Sequence, residues 1–446
     1  MTRDLTVGGP AKLIFSFAVP LIIGNVFQQM YALVDTLLVG RFLGVSALAA
    51  VGCCGSLMFL MIGLVLGFTN GLAIYTGQRF GAGDMAGVRK SAAACLAICI
   101  VTAIILTSIG MFIAKPMLLF MNTPAAILDN AYSFISIIYA GTTVTIMFNM
   151  LMNFIRALGD SRTPLYFLIF ATVINILLEI IFILSLGLGI AGAAAATVIS
   201  QLLSAILCFI YIAKKMPILR FKKEDWHMNG NFIWQHLRIG IPMGFQASII
   251  AVGAIILQIA LNGLGEIAVA AYAAAQKIDA IAIMPMMSFG MAMAAYTAQN
   301  YGARKIDRIN DGVKKCMFMS GGFALVIAVI LITFGPVMLE QFVGASEQKV
   351  IEYGHLYLII DGINYIVLSF LFIYRFTLQG LGQSIVPTIA GVMELIMRAA
   401  AAIFLVKIWG YTGACFANPL AWIGSCVPLA IMYYYTKKHI LNYDKL

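Results

Sequence analysis

Asp35 lies inside a long apolar run, with Tyr31 four and Gln28 seven residues before it, spacings that put all three on one face of a helix. Asn175 and Glu179 repeat the i, i+4 spacing in another apolar run and stack an amide oxygen and a carboxylate on one stripe. Thr197 adds a hydroxyl in the run that follows. A carboxylate in the middle of a bilayer costs about 3 kcal/mol or more unless it is neutralised, so acids kept at that depth mark function. Together Asp35, Asn175, Glu179 and Thr197 could offer oxygen ligands to a small hard cation such as Na+, or two carboxyls that load and release protons.

The remaining charges inside apolar runs read differently. Glu394 and Arg398 stand at i, i+4 with opposite signs, which predicts mutual neutralisation in a structural or gating ion pair; Lys277 with Asp279, and Asp361, complete the set. Met284 and Met287 beside Phe289 give one run a soft, adaptable face. With Gln28, Tyr31 and Gln246 they are the expected lining of a cavity for varied ligands. The 8 cysteines lie in or beside apolar runs with no CxxC and no neighbouring histidine, a pattern of small-residue packing rather than of metal binding or disulfides.

There is no GxxxxGK[ST] phosphate loop, so transport driven by nucleotide bound to this chain is not expected. HExxH, GxSxG and aspartate-rich diphosphate motifs are also missing from the sequence, and no enzyme activity or cofactor is expected. An ion gradient, of H+ or Na+, is the expected driving force.

The elements that must position these residues follow from composition. With 62% hydrophobic and 10% charged residues in 446, the chain has too much apolar surface for one soluble core, and lipid must solvate the rest. Hydrocarbon admits only helices and closed barrels, and these runs are too long and continuous for barrel strands. Twelve apolar runs between residues 13 and 435 each exceed the roughly 20 residues needed to span. The fold class is therefore an all-α polytopic membrane protein with twelve transmembrane helices.

The net charge of +10 does not point to nucleic acid, because the basic residues are scattered among loops. Of 28 Lys and Arg, 17 fall after even-numbered spans, while only Arg41, Lys115, Lys349 and Lys407 mark the opposite side. The positive-inside rule then places both termini in the cytoplasm and the protein in the plasma (inner) membrane. The polar start, MTRDLTVGG, carries no cleavable signal pattern.

Sliding the second half over the first by 221 to 223 positions pairs Pro20 with Pro242, Gly44 with Gly265, Gly159 with Gly382 and Gly189 with Gly410. Such matches at helix ends describe a duplicated six-helix unit. An even number of spans per unit makes the copies parallel repeats. The expected division is an N-terminal lobe over residues 1–213, a basic cytoplasmic linker over 214–231 and a C-terminal lobe over 232–446. The acids are not duplicated: the offset sets Leu257 against Asp35, Arg398 against Asn175, Ala402 against Glu179 and Asn418 against Thr197.

The first span with its sequel, VPLIIGNVFQQMYALVDTLLVGRFLGVSALAAVG, the GQRFGAG segment and RALGDSRTP resemble the multidrug and toxic compound extrusion (MATE) family over essentially the whole chain. The resemblance implies two six-helix lobes forming a V-shaped central cavity. It also implies alternating-access export of amphipathic, often cationic, compounds in antiport with Na+ or H+. Residue by residue, Asp35 matches the family's first-helix acid, Asn175 and Glu179 its fifth-helix amide and acid, and Thr197 its sixth-helix hydroxyl. Against members with essential acids in the seventh and tenth helices, this chain offers Gln246 in the seventh and is expected to be apolar through the middle of the tenth, which concentrates ion coupling in the N-terminal lobe.

A lipid or lipid-linked saccharide flippase of the same superfamily is the alternative, disfavoured because only Lys277 and Arg398 are basic at depth; a channel fits a one-sided carboxylate site less well. Partners are expected to be small amphipathic substrates and the bilayer, with no nucleic acid, and the chain is expected to be a monomer.

Overall fold

The computed structural model describes residues 3–121, 123–344 and 346–439. Among the described residues, ten helical stretches are long and apolar enough to cross a membrane. The longest, Pro10–Gly81, is two helices joined where Gly44 takes φ 84°, a left-handed conformation that only glycine adopts freely. It divides into α1 (10–43) and α2 (45–81). Ala125–Ala140 and Thr142–Ala157, bent by 45° at Gly141, form a further broken span, α4. With α3 (Met85–Phe120), α5 (Arg162–Ser185), α6 (Gly189–Lys215), α7 (Gly230–Asn262), α8 (Glu266–Gly302), α9 (Ile306–Val343), α10 (Gln348–Gly380), α11 (Ile385–Trp409) and α12 (Tyr411–His439) the spans number twelve, as the apolar runs predict. The chain is a multi-pass membrane protein.

The duplication is written in backbone irregularities as well as in residue types. Gly44 and Gly265 are left-handed at φ 84° and 97°, Gly159 and Gly382 at 83° and 82°, and Gly189 and Gly410 both at 58°. A widened π turn interrupts α5 at Ile181–Ser185 and α11 at Ala401–Leu405. The glycine pairs sit at the repeat offset and the π turns one residue short of it, so the two copies share their kinks.

Two compact units result, divided differently from the expected lobes. Among the described residues, one comprises Arg3, Asp4 and Ile23–Gly244; the other comprises Leu5–Ile22 and the chain from Phe245 to His439. The start of α1 belongs with the second unit and the start of α7 with the first, each exchange ending two residues beyond a helical proline, Pro20 or Pro242. Covalent order suggests boundaries in the linker, but packing decides them here. In the first unit a Cβ on Gly67 would lie 2.2 Å from the Met243 carbonyl oxygen, and one on Gly71 2.7 Å from the Gly240 Cα. Gly67 and Gly71 on α2 thus meet Gly240 and Gly244 on α7, two small-xxx-small faces in backbone contact. In the second unit the start of α1 packs on α8, with the Phe15 and Phe289 rings 6.4 Å apart.

The expected linker is folded onto the first unit. Met216 and Leu219 are buried in its core, and short 3₁₀ turns form at Pro217–Leu219 and Lys223–Trp226. Asp225 pairs with Arg89 at 3.4 Å.

Candidate cation site

In the first unit α1, α5 and α6 bring the predicted residues together. Asn175 and Glu179 are buried on α5, one turn apart, just before the π turn that widens the helix. Thr197 Oγ1 on α6 accepts from Asn175 Nδ2 at 3.2 Å and lies 3.2 Å from the Tyr31 hydroxyl. It also hydrogen-bonds the Ala193 carbonyl at 3.3 Å. Asp35, one turn beyond Tyr31, is the charged neighbour of Glu179. Among the described residues no ion pair reaches Asp35 or Glu179.

Its electrostatics are those of an acceptor-rich site. Both oxygens of Glu179 and the Asn175 Oδ1 are buried without a hydrogen-bond donor. A buried carboxyl beside a half-buried one, with an orphan amide oxygen, calls for a positive partner, either a proton shared by the acids or a small cation held by oxygens. Tyr31, expected on the Asp35 face and among the cavity residues, joins this cluster through its hydroxyl, 3.2 Å from Thr197 Oγ1. Gln28 is exposed one turn earlier on α1.

The other expected cavity residues divide. Met284 and Met287 are half-buried on α8. Phe289 is sealed in the core of the second unit between Phe15 and Phe323, and so is a packing residue. Gln246 is also buried there; its amide donates to the Pro387 carbonyl at 2.8 Å and its Oε1 accepts from Gln379 at 3.0 Å, so it ties α7 to α10 and α11.

The Glu394 to Arg398 ion pair is present at 3.9 Å, but the acid is shared, because Arg375 also hydrogen-bonds Glu394. Arg398 further donates to Asn418 Oδ1 at 3.2 Å and to the Ile250 carbonyl at 3.4 Å. Sequence position marks Arg375 as a loop cation at the end of a span, yet it is buried and also donates to Ser425 at 3.1 Å. Nothing in local spacing announces a partner 19 residues away.

The middle of α10 is not apolar. Asp361 is fully buried there, accepting from Asn418 Nδ2 at 3.1 Å with its other oxygen unpaired. Asn418 also donates to the Tyr357 hydroxyl at 2.9 Å. Asp279 on α8 is bound by the Tyr365 hydroxyl, not by Lys277. One signal was available: Tyr357, Asp361 and Tyr365 recur at steps of four, a polar stripe along one face of an apolar helix.

These features define a membrane transporter of duplicated six-helix units with a carboxylate cluster in the first. The MatE family profile matches twice, over residues 20–181 and 242–404, so the chain belongs to the MatE family of efflux transporters. Among curated relatives, the probable multidrug resistance protein YoeA of Bacillus subtilis (strain 168) is 28% identical over 85% of this chain and 83% of its own length. The probable multidrug resistance protein YpnP of the same organism is 28% identical over 80% and 79%. A crystal structure of MATE in complex with MaL6 superposes with a TM-score of 0.91 at 22% identity, covering 100% of both chains, and shows the shared fold.

Proposed function

We propose that this chain exports amphipathic, often cationic, compounds in antiport with H+ or Na+, with Asp35 and Glu179 as the coupling acids, Asn175 and Thr197 as supporting oxygens, and both termini in the cytoplasm. The observation that carries the reading is the pair of buried Glu179 oxygens without donors beside Asp35. Such a site binds a cation most tightly when closed to water, and an ion shifts an alternating-access equilibrium only through unequal affinity for its states. Drug export is supported by the multidrug resistance names of relatives such as YoeA. Bulky cations suit the half-buried methionine face at Met284 and Met287.

Proteoliposomes energised by a pH gradient alone or a Na+ gradient alone test the proposal. Dye efflux under one of them, lost in Asp35→Asn and Glu179→Gln proteins that still bind dye, is the expected result. Efflux at wild-type rates in both variants would sink it.

A further inference from the structure

The folded connector between α6 and α7 presents a face of exposed cations with no acidic partner, Arg220 alone among them donating its Nε, to the Ala213 carbonyl at 3.3 Å. Lys214, Lys215, Arg220, Lys222 and Lys223 are all exposed on it, and none forms an ion pair among the described residues. The one acid buried beneath them, Asp225, is taken by Arg89 and by the Lys222 backbone amide at 2.7 Å. Only Glu224 adds negative charge to the outer face.

The height of this face is fixed by its ends. Lys215 closes a membrane-spanning helix and Gly230 opens the next, and the intervening chain is pinned to the unit through Met216, Leu219 and Asp225. It therefore runs along the membrane boundary instead of looping into water. Trp226 and Trp234 flank it with 47% and 59% of their surfaces exposed, the placement of indoles at a headgroup layer. A cleft of 460 Å³ opens beside Lys215, walled by Phe80, Met85, Pro217 and Ile218, with Asp4 the one acid in its lining.

We propose that this face is a docking platform for anionic phospholipid headgroups, of the phosphatidylglycerol type, in the leaflet that borders the α6–α7 connector. A dense basic cluster directly beside a membrane span attracts acidic lipid, and packing at lipid depth gives it reach to phosphate oxygens without leaving the unit. Fixed on a folded segment, these cations lose little freedom when lipid binds. The proposal does not depend on which ion drives transport or what is exported.

The test uses the full-length purified protein in detergent, with mixed micelles of phosphatidylcholine alone or with phosphatidylglycerol, and reads thermal unfolding and lipids retained in native mass spectrometry. Wild type is expected to unfold at a higher temperature with phosphatidylglycerol than without and to retain that lipid selectively. Lys222→Gln and Lys223→Gln should each weaken retention about fivefold, and a Lys214→Gln/Lys215→Gln/Lys222→Gln/Lys223→Gln protein should lose most of the selectivity while keeping its unfolding temperature in phosphatidylcholine. Salt should erode the effect in wild type. Equal selectivity in wild type and the fourfold variant would overturn the platform and leave the cluster a topological signal. Inorganic phosphate giving the same stabilisation in place of the lipid would also overturn it.

Discussion

At repeat-related positions the two units build the same geometry with opposite charge. Asn175 donates to Thr197 at 3.2 Å in the first, and Arg398 donates to Asn418 at 3.2 Å in the second. Around the first pair stand Asp35 and Glu179; at the matching positions of the second stand Leu257 and Ala402, both buried and apolar. A tethered guanidinium thus sits in the second unit where the first offers acceptors without donors. In the function proposed above the first unit takes up a cation where the second already carries a fixed one, the guanidinium of Arg398.

That contrast can be broken most sharply in the first unit. Asp35→Asn should lower gradient-driven export by about 100-fold, the upper range of a coupling free energy between sites, with folding intact. Glu179→Gln should match it, and Asn175→Ala should be milder because it removes one neutral ligand. Flux in proteoliposomes with substrate binding measured in parallel checks all three; a wild-type rate in the two acid variants would move coupling to Asp361.

The second unit should fail by a different route. Glu394→Gln leaves the buried Arg375 without its carboxylate and should destabilise the protein by about 3–5 kcal/mol. A Glu394→Gln/Arg375→Met protein, with both charges removed, should recover much of that loss, read as thermal unfolding in detergent. If the single variant unfolds like wild type, Glu394 is not the structural group its burial implies.

Contact between glycine faces predicts a smaller, local effect. Gly71→Val forces side-chain atoms into the Gly240 backbone and should cost about 1–3 kcal/mol, whereas Gly55→Val, with open space around it, should be nearly silent. Unfolding temperatures of the two proteins compare them directly.

The smallest effect concerns Asp160, before α5. Its Oδ1 accepts from the Arg162 and Thr163 amides at 2.9 and 3.0 Å and its Oδ2 from the Thr163 hydroxyl at 2.7 Å. Burial raises its pKa, the bonds from Thr163 lower it, and the net effect holds the carboxyl below its ordinary value. A depressed folded pKa gives stability that is fully present above the unfolded value of about 3.9 and is lost as pH falls through the folded one. Asp160→Ala should cost about 1 kcal/mol at neutral pH and flatten the pH dependence of unfolding below about pH 4.

How much of this the residues announce depends on the range over which each partner acts. The twelve spans and the duplication are legible because hydropathy and glycine or proline placement are local, and Asp35, Asn175, Glu179 and Thr197 stand out because a polar group in an apolar run is conspicuous. Arg375 with Glu394, and Asn418 bridging Asp361 and Tyr357, depend on which helices pack together, and a helical period carries no record of that. Phe289 misleads for the same reason, since an aromatic ring looks alike whether it lines a cavity or fills a core.

The exchange of helix starts between the units bears on biogenesis. Each unit owns a segment encoded in the other half of the gene, the first lacking its Gly230–Gly244 piece until α7 has left the ribosome. Neither half expressed alone would contain everything its core needs, so a split gene should work only when both products are made together.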